Sequence, residues 1–425
     1  MFRIAATLAA FLLATPGLAQ TYTIHAGSLI ADAAEAPRGP STITVTDGRI
    51  AAIADGLQPA PAGATLVDLS ALTVMPGLID SHVHLEGDHD TKYEQGFIDT
   101  DEYGVTVGLK NARRSLDAGM TTVRDLGSAP QTMFAVRRAI DEGLHEGPRI
   151  LASGPAISII GGHGDMSKAR PEILTAMTGY NTCTGAMECS ERVRQFSRAG
   201  ADVIKITATG GVLSQQGRGL EAHFTDEEMR AIASTAGSLG LKVAAHAHGA
   251  RGIEAAARAG ITSIEHGTFV DEAGIEAMKE NGTWYVPTLM AYRGIEEQLG
   301  TGIYTPVVED KIRQTMEYVG KGLNAAYRAG VPIAFGTDSG VYAHGRNNEE
   351  AAMMVERGGM PPRAVLVAAT KGAADLLGIA DETGTLEAGK SADLIAVEGN
   401  PVEDIRALEN IRYVMARGRE HTIGE

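Results

Sequence analysis

Short apolar segments alternate with helix-like segments through most of the chain, and this alternation most constrains the fold. Eight apolar segments are candidate buried strands: Thr73–His84, Thr121–Leu126, Arg149–Ile157, Val203–Thr209, Lys242–His248, Ser263–His266, Tyr285–Leu289 and Ile333–Asp338. Several of the helices between them end in Ala-Gly directly before the next strand, and glycine there suits a left-handed C-cap. Eight strand–helix units predict an α/β fold, the TIM (β/α)8 barrel. A doubly wound open sheet is the alternative, but no Gly-x-Gly-x-x-Gly follows the first strand.

The two ends of the chain have a different pattern, in which short strands are separated by turns. The strand candidates there are Thr42–Val45, Arg49–Ile53, Thr65–Asp68, Ala392–Val397 and Ile411–Met415. Asp47-Gly48 is a hairpin turn signal between two of them. We therefore predict a small β-sandwich domain formed from residues 20–72 and 381–425, which flanks a barrel domain at residues 73–380.

The N-terminal segment, residues 1–19, has the pattern of a secretory signal peptide. Arg3 precedes the apolar stretch Ile4–Thr15, which is too short to span a membrane, and small residues allow cleavage after Ala19. A buried N-terminal helix is the alternative. We expect a periplasmic or secreted protein that has no membrane anchor once this segment is removed.

The chain contains two cysteines, Cys183 and Cys189. In an oxidising compartment they would close a small loop as a disulfide, and the alternative is a pair of free thiols. Because no Cys-x-x-Cys is present, a structural zinc site of cysteines is not supported.

The overall charge excludes some classes of partner. The formal net charge is −16, from 37 basic and 53 acidic residues. Nucleic acids and anionic membrane surfaces are therefore not expected partners. The 425 residues, of which 44% are hydrophobic, are enough to form one large core and a smaller one.

Chemically reactive side chains stand at or near the carboxyl ends of the predicted strands, where TIM barrels carry their active sites. They are His82, His84, Lys205, His246, His248, His266 and Asp338. His82 and His84 are separated by one residue on a strand, so both side chains point the same way and can bind one divalent metal ion. The alternative for this pair is that two polar residues mark the exit of the strand into solvent. The convergence of the whole set on one rim favours the metal site.

For two members of this set, Lys205 and His266, a purely structural role is an alternative to metal binding. Lys205 lies among apolar residues, where an unpaired cation is unfavourable. It is either an edge-strand lysine that reaches solvent or a lysine whose amine is carbamylated. A carbamylated amine is an anion that can bridge two cations, which removes the objection to burying it. His266, taken alone, is better explained as a core histidine with satisfied hydrogen bonds.

The chain resembles the amidohydrolase superfamily, which has a His-x-His on the first strand, a lysine on the fourth, histidines on the fifth and sixth, and an aspartate on the eighth. The resemblance covers nearly the whole mature chain, and the stretch from Gly336–Asp338 to Ala392–Leu394 is especially typical. Three motifs, Gly161–Asp165, Thr209–Ser214 and His246–Gly249, resemble the branch of metal-dependent Xaa-Pro dipeptidases, related carboxypeptidases and ochratoxin-hydrolysing amidases. That branch is related more distantly to imidazolonepropionases.

The resemblance implies two divalent metal ions, both zinc, bridged by a hydroxide. The implied ligands are His82, His84 and Asp338 for the more buried ion, His246 and His266 for the other ion, and carboxylated Lys205 for both. Asp338 would also accept a proton from the attacking hydroxide and pass it to the leaving amine.

The resemblance also implies residues that contact the substrate. His163 and His248 are candidates for catalysis through oxyanion stabilisation and for substrate binding, and His344 is a further substrate-binding candidate. The alternative for each is an ordinary loop histidine. The branch binds a substrate α-carboxylate, yet Glu221–Phe224 stands where a tyrosine is expected. The candidate anchors for the carboxylate, each of which is otherwise a surface residue, are Arg218, Tyr292, Arg293 and Arg346.

Together these features predict a binuclear zinc enzyme that hydrolyses an amide bond in a small substrate with a free C-terminal carboxylate. The substrate would be a dipeptide or an N-acyl amino acid. The alternatives are a cyclic-amide hydrolase of the imidazolonepropionase type and a non-catalytic binding scaffold. The resemblance favours a homo-oligomer.

Overall fold

The computed structural model describes residues 20–90, 95, 98–165, 170–177, 180–214 and 219–424. The predicted signal peptide, residues 1–19, and Arg218 lie outside these residues. Within the described part of the chain, no helix is both long enough and apolar enough to cross a membrane.

The secondary structure alternates between strands and helices through the central part of the chain. The strands are β1 (Thr21–Leu29), β2 (Ser41–Thr46), β3 (Arg49–Asp55), β4 (Thr65–Pro76), β5 (Leu78–Val83), β6 (Met120–Asp125), β7 (Arg149–Ala152), β8 (Val203–Thr207), β9 (Lys242–Ala247), β10 (Ser263–His266), β11 (Trp284–Val286), β12 (Leu394–Val397), β13 (Ile411–Ala416) and β14 (Arg419–His421). The helices are α1 (Asp101–Asp117), α2 (Pro130–Asp141), α3 (Pro171–Met177), α4 (Gly185–Ala199), α5 (Asp226–Ser238), α6 (Ala250–Arg258), α7 (Glu272–Asn281), α8 (Leu289–Glu297), α9 (Pro306–Met316), α10 (Lys321–Ala329), α11 (Glu349–Glu356), α12 (Pro362–Val367) and α13 (Ala373–Leu377).

One seven-stranded sheet combines strands from the two chain ends, in the order β14-β13-β12-β4-β1-β2-β3. Strand β4 is parallel to β1 and antiparallel to β12, where Thr73 pairs with Val397 and Pro76 pairs with Leu394. Ile24 and Leu394, which come from opposite ends of the chain, belong to the same buried apolar cluster. Burial of this shared cluster stabilises the pairing of the two ends that the sequence predicted.

The predicted strand Thr73–His84 is divided at Gly77. Its first part, up to Pro76, belongs to the seven-stranded sheet, and its second part is β5. A Cβ atom on Gly77 would lie 2.1 Å from Thr121 Oγ1, so no side chain fits where the chain passes from one sheet to the next.

The central part of the chain contains two parallel sheets, one of strands β5-β6-β7 and one of strands β8-β9-β10-β11. Helices lie between successive strands, as the alternating pattern predicted. Single parallel bridges link the outer strands β8, β11 and β5 to residues outside the strands, and they join Ile206 to Ile157, Tyr285 to Ile333 and Val83 to Ser339.

Two predicted strands at the rim are wrong in their extent. Ile333–Asp338 forms only isolated bridges, and Tyr285–Leu289 is replaced by the shorter β11 and the start of α8. The backbone is left-handed at Thr288 (φ 50°) and at Asp338 (φ 60°), which ends the extended conformation. Both of these side chains contact histidines of the cavity described below.

Local sequence signals define several helix ends, and the predicted glycine C-caps are among them. Thr225 and Glu228 form a capping box at the start of α5. Gly200 after α4 and Gly330 after α10 are left-handed C-caps, with φ of 109° and 81°. The segment from Pro306 to Ala329 forms two helices, α9 and α10. Gly320, with φ of 84°, separates them, and a Cβ there would lie 2.5 Å from a backbone oxygen.

The two cysteines form a disulfide, which the sequence left open. Cys183 and Cys189 are both fully buried, and the bond joins the segment before α4 to the helix itself. It lies in the main apolar cluster of the central domain.

Candidate active site

The carboxyl ends of the parallel strands surround one cavity of about 390 Å³. The predicted metal ligands that line this cavity are His82, His84, Lys205, His246, His266 and Asp338. His163, His248 and Tyr292 line it as well. The fold therefore brings together residues that are far apart in the sequence.

The first donor group consists of His82, His84 and Asp338, whose ligand atoms lie within 4.8 Å of one another. Asp338 Oδ1 lies 3.1 Å from His84 Nε2 and 3.4 Å from His82 Nε2. Burial alone would raise the pKa of Asp338, but the two neighbouring imidazoles outweigh it, so the pKa lies below its usual value. Asp338 is therefore an ionised carboxylate between two imidazole nitrogens.

The second donor group consists of His246, His248 and His266, again with ligand atoms within 4.8 Å of one another. The ring centroids are 4.5 Å apart for His246 and His248, and 4.6 Å apart for His246 and His266. Burial lowers the pKa of all three rings, to about 3 for His248. These imidazoles are therefore neutral near pH 7, which is the form that binds metal ions.

Lys205 lies beside both donor groups. Its Nζ is 3.4 Å from His82 Nε2, and its charge also lowers the pKa values of the three histidines in the second donor group. The side chain is only 3% exposed, so the edge-strand explanation does not apply. Burial lowers the pKa of its amine to about 8. A substantial fraction of this lysine is therefore an uncharged nucleophile near neutral pH.

In the first donor group, hydrogen bonds from the Nδ1 atoms of the two imidazoles fix the orientation of the rings. His82 Nδ1 donates to Glu265 Oε2 at 2.9 Å, and His84 Nδ1 donates to the Gly127 carbonyl at 3.1 Å. The other ring nitrogen of each, Nε2, therefore faces Asp338.

The second donor group is held in a similar way. His248 Nδ1 lies 2.7 Å from Thr268 Oγ1, and His266 Nδ1 lies 2.6 Å from Thr288 Oγ1. Imidazoles oriented by such contacts, together with a carboxylate, are a donor set that suits zinc and similar divalent ions. Both groups are thus candidate metal-binding sites.

The sequence model of the Amidohydrolase family matches residues 73–420, which contain the whole donor set. The chain belongs to the amidohydrolase family. It is accordingly a hydrolytic enzyme that acts on amide bonds, and the predicted superfamily and branch are confirmed.

This amidohydrolase is similar to three characterised proteins. It is 35% identical to the ochratoxinase of Aspergillus niger over 362 residues, which cover 80% of this chain and 73% of that protein. It is 27% identical to the imidazolonepropionase of Mesorhizobium japonicum over 378 residues, or 83% of this chain and 85% of that protein. A crystal structure of a Xaa-Pro dipeptidase with bound methionine superposes with a TM-score of 0.88 at 38% identity, covering 95% of this chain and 100% of that one.

Of the predicted substrate-contact histidines, His163 lies at the cavity and His344 does not. His163 lines the cavity, its Nδ1 lies 2.7 Å from Ser214 Oγ, and its ring centroid is 4.2 Å from that of His246. His344 lies outside the cavity wall formed by the described residues, and its Nε2 donates to the Gly87 carbonyl at 2.9 Å.

Of the three described candidates for a carboxylate anchor, Tyr292 alone lines the cavity. It is 4% exposed, and its hydroxyl forms a hydrogen bond with Thr268 Oγ1 and lies 3.3 Å from His248 Nδ1. Arg293 and Arg346 instead pair with surface glutamates of the amidohydrolase.

Two charged residues beside the site were missed by the sequence analysis. Glu265 and Arg124 form a buried ion pair, with 2.9 Å between Arg124 Nη2 and Glu265 Oε1. Burial would raise the pKa of Glu265, but Arg124 and His82 outweigh it and lower the pKa to about 2. The available signal was a charged residue inside each of two apolar strands, β6 and β10.

Proposed function

We propose that this enzyme hydrolyses the amide bond of a dipeptide or an N-acyl amino acid that carries a free C-terminal carboxylate. Catalysis would occur with two zinc ions, one held by His82, His84 and Asp338 and the other by His246 and His266, and carboxylated Lys205 would be a ligand of both. One observation carries the proposal: both donor groups and the buried lysine line a single cavity. The names of the similar proteins, an ochratoxinase and a Xaa-Pro dipeptidase, support an amide or dipeptide substrate.

The cavity wall supports a substrate with an apolar portion. Beyond the donor atoms it is lined by Leu126, Pro155, Ala156, Val212, Leu213, Ile295 and Val341. Such a surface binds an aliphatic, proline or aromatic side chain by removing it from water. Ser128, Asn181 and Thr207 also line the cavity, but among the described residues this part of the wall carries no charged side chain, so we expect apolar residues next to the scissile bond to be preferred.

When bound, the two ions would lower the pKa of a shared water and polarise the scissile carbonyl. Asp338, as an ionised carboxylate, would accept a proton from the attacking water and pass it to the amide nitrogen that leaves. His163 and His248 border the cavity and would contact the carbonyl oxygen as negative charge develops on it. The Tyr292 hydroxyl would donate a hydrogen bond to the substrate carboxylate. His344 would act indirectly, by holding the Gly87 carbonyl.

Carboxylation of Lys205 would follow from its burial. The neutral amine attacks CO2, a C–N bond forms, and one proton leaves, which yields a carbamate with one negative charge. The carbamate would be an anionic ligand that both ions could share, whereas a buried ammonium group would repel them.

We also propose a closed barrel, a β-sandwich domain, export from the cytoplasm and a homo-oligomeric assembly. The single bridges between the parallel sheets would complete an eight-stranded barrel, and the Arg49–Ser391 bridge would fold the seven-stranded sheet into a sandwich. Export through residues 1–19 to the periplasm or the medium agrees with the buried Cys183–Cys189 disulfide. A homo-oligomer is the expected assembly, and light scattering of the mature protein would test it.

A hydrolysis panel tests the function. Zinc-loaded mature protein would be incubated with Xaa-Pro and other dipeptides, with N-acyl amino acids, with the C-terminal amide of each, and with imidazolonepropionate. We expect cleavage of the free acids and at least tenfold slower cleavage of the amides. Cleavage of imidazolonepropionate alone would instead assign a cyclic-amide hydrolase. A protein that retains no metal and cleaves nothing after zinc or manganese is added would be a scaffold.

A further inference from the structure

A buried network of charges lies directly beneath the first donor group. Glu265 Oε2 accepts from His82 Nδ1 at 2.9 Å, and Glu265 Oε1 accepts from Arg124 Nη2 at 2.9 Å. Ser263 Oγ donates to the same Oε1 at 2.5 Å. The Glu265 side chain is fully buried, and those of His82 and Arg124 are each only 1% exposed. The network thus joins strands β5, β6 and β10 through one carboxylate.

Arg124 is itself well satisfied. Its Nε donates to the Ser81 carbonyl at 2.5 Å, and its Nη1 lies 3.3 Å from Ser263 Oγ. Every group of the network therefore has a partner, as a buried charge requires. Stability alone does not explain such a network, because apolar residues of similar volume are often as stabilising as a buried ion pair.

Among the imidazoles of the two donor groups, His82 differs in the partner of its second ring nitrogen. In His82 this nitrogen forms a hydrogen bond with a carboxylate, whereas in the other rings it contacts a neutral group. These neutral partners are the Gly127 carbonyl for His84, the Gly210 carbonyl for His246, Thr268 for His248 and Thr288 for His266. A carboxylate on the far nitrogen fixes the tautomer of a ligating imidazole and makes it a stronger donor.

We propose that Glu265 is a positioning residue that holds His82 as the Nδ1–H tautomer and strengthens its Nε2 as a ligand for the ion in the first donor group. Arg124 compensates the negative charge of Glu265, and this ion pair allows the carboxylate to be buried below the first donor group. Nε2 then points at the first donor group, 3.4 Å from Asp338 Oδ1 and 3.4 Å from Lys205 Nζ. This inference rests on the metal centre of the proposed function.

The test measures zinc affinity rather than activity alone. In Glu265→Gln the side-chain oxygen still accepts from His82, but the negative charge is gone. We expect one of the two zinc ions to bind 10- to 100-fold more weakly, roughly the range for loss of such a partner, while the other is unchanged. The measurement is zinc per protein after equilibration with a graded series of chelators. In the zinc-loaded protein labelled with ¹⁵N-histidine, the imidazole N–H signal of His82 should shift in the variant.

A second pair of buried charges provides a matched control. The Asp393 side chain is fully buried directly before β12, its Oδ2 lies 3.3 Å from Arg149 Nη2, and neither residue lines the cavity. Asp393→Asn removes a buried, arginine-paired carboxylate and should retain both zinc ions. The double variant Glu265→Gln/Arg124→Met removes both charges of the network, so it avoids an orphaned arginine and should still bind one ion weakly.

The possible outcomes are distinct. If Glu265→Gln holds both ions with wild-type affinity, or if Asp393→Asn loses zinc equally, the positioning role is wrong although the metal centre stands. If the wild-type protein itself binds no zinc, the proposed function and this inference both fail. Weak binding of one ion in both Glu265 variants, with two tight ions in the control, supports the inference.

Discussion

Carboxylation of Lys205 should depend on pH in a way that follows from its burial. The side chain is 3% exposed, and burial lowers the pKa of its amine to about 8, even though Glu265 and Asp338 act in the opposite direction. Only the neutral amine attacks CO2, so the reactive fraction rises with pH and levels off above the pKa. At pH 7.5 about a quarter of a lysine with this pKa is neutral, against roughly a thousandth of an ordinary lysine.

The assay is reconstitution of the metal-free enzyme with zinc at a fixed concentration of dissolved CO2. The initial rate of recovery of activity should increase about threefold between pH 7.5 and pH 8.5 and then become nearly constant, because about three quarters of the amine is neutral by pH 8.5. With ¹³C-bicarbonate, a carbamate signal should appear in the wild-type protein and be absent from Lys205→Ala. Short carboxylic acids should restore part of the activity of that variant.

Three results would contradict this reasoning. A recovery rate that rises about tenfold per pH unit up to pH 9.5 would mean that Lys205 titrates as an ordinary exposed lysine. Recovery that does not require CO2 would exclude the carbamate as the bridging group. A carbamate signal of equal strength in Lys205→Ala would place the modification on another amine.

Three further predictions concern catalysis, recognition and stability. Asp338→Asn keeps an oxygen ligand but cannot carry a proton, so kcat should fall about 10²- to 10⁴-fold while two zinc ions remain; near-normal turnover would exclude the shuttle. Tyr292→Phe should raise KM for free acids about tenfold or more and leave the C-terminal amides unaffected, since a hydrogen bond to a charged group is lost; an equal change for both substrates would argue against carboxylate contact. The double variant Cys183→Ser/Cys189→Ser should lower the free energy of unfolding by about 2 kcal/mol, from the short loop that the disulfide closes. Denaturant titration measures that loss, and kinetic constants should be unchanged.

The parts of the fold that follow local rules could be predicted from the sequence. The capping box of Thr225 and Glu228 and the left-handed glycines after α4 and α10 depend only on neighbouring residues. The His-x-His of β5 and the histidines of β9 and β10 could be placed because they follow apolar strands whose direction the alternating pattern sets. Parallel strands bring their carboxyl ends to one rim, so these residues converge without any knowledge of loops.

What could not be predicted depends on contacts between distant residues. Thr288 and Asp338 adopt left-handed backbones, which are uncommon for non-glycine residues and rarest for a β-branched one such as Thr288, and each of them contacts a histidine of the cavity. Arg124 and Glu265 are 141 positions apart, so a buried charge on one strand gives no hint of its partner on another. The role of Gly77 is similar, because the obstacle to a side chain there is Thr121 on the neighbouring strand.

The charge balance of the site gives a separate reason to expect an anionic substrate. The net charge of −16 repels carboxylates at long range, so attraction has to come from the cavity itself. Burial keeps the three imidazoles of the second donor group neutral, and Arg124 offsets Glu265. The two divalent ions carry four positive charges, of which Asp338, carboxylated Lys205 and the bridging hydroxide would offset three, which leaves about one positive charge in a partly closed cavity. A substrate carboxylate reduces this excess, whereas a C-terminal amide leaves it uncompensated. The proposed preference for free acids would therefore follow from the metal centre as a whole as well as from the Tyr292 hydroxyl.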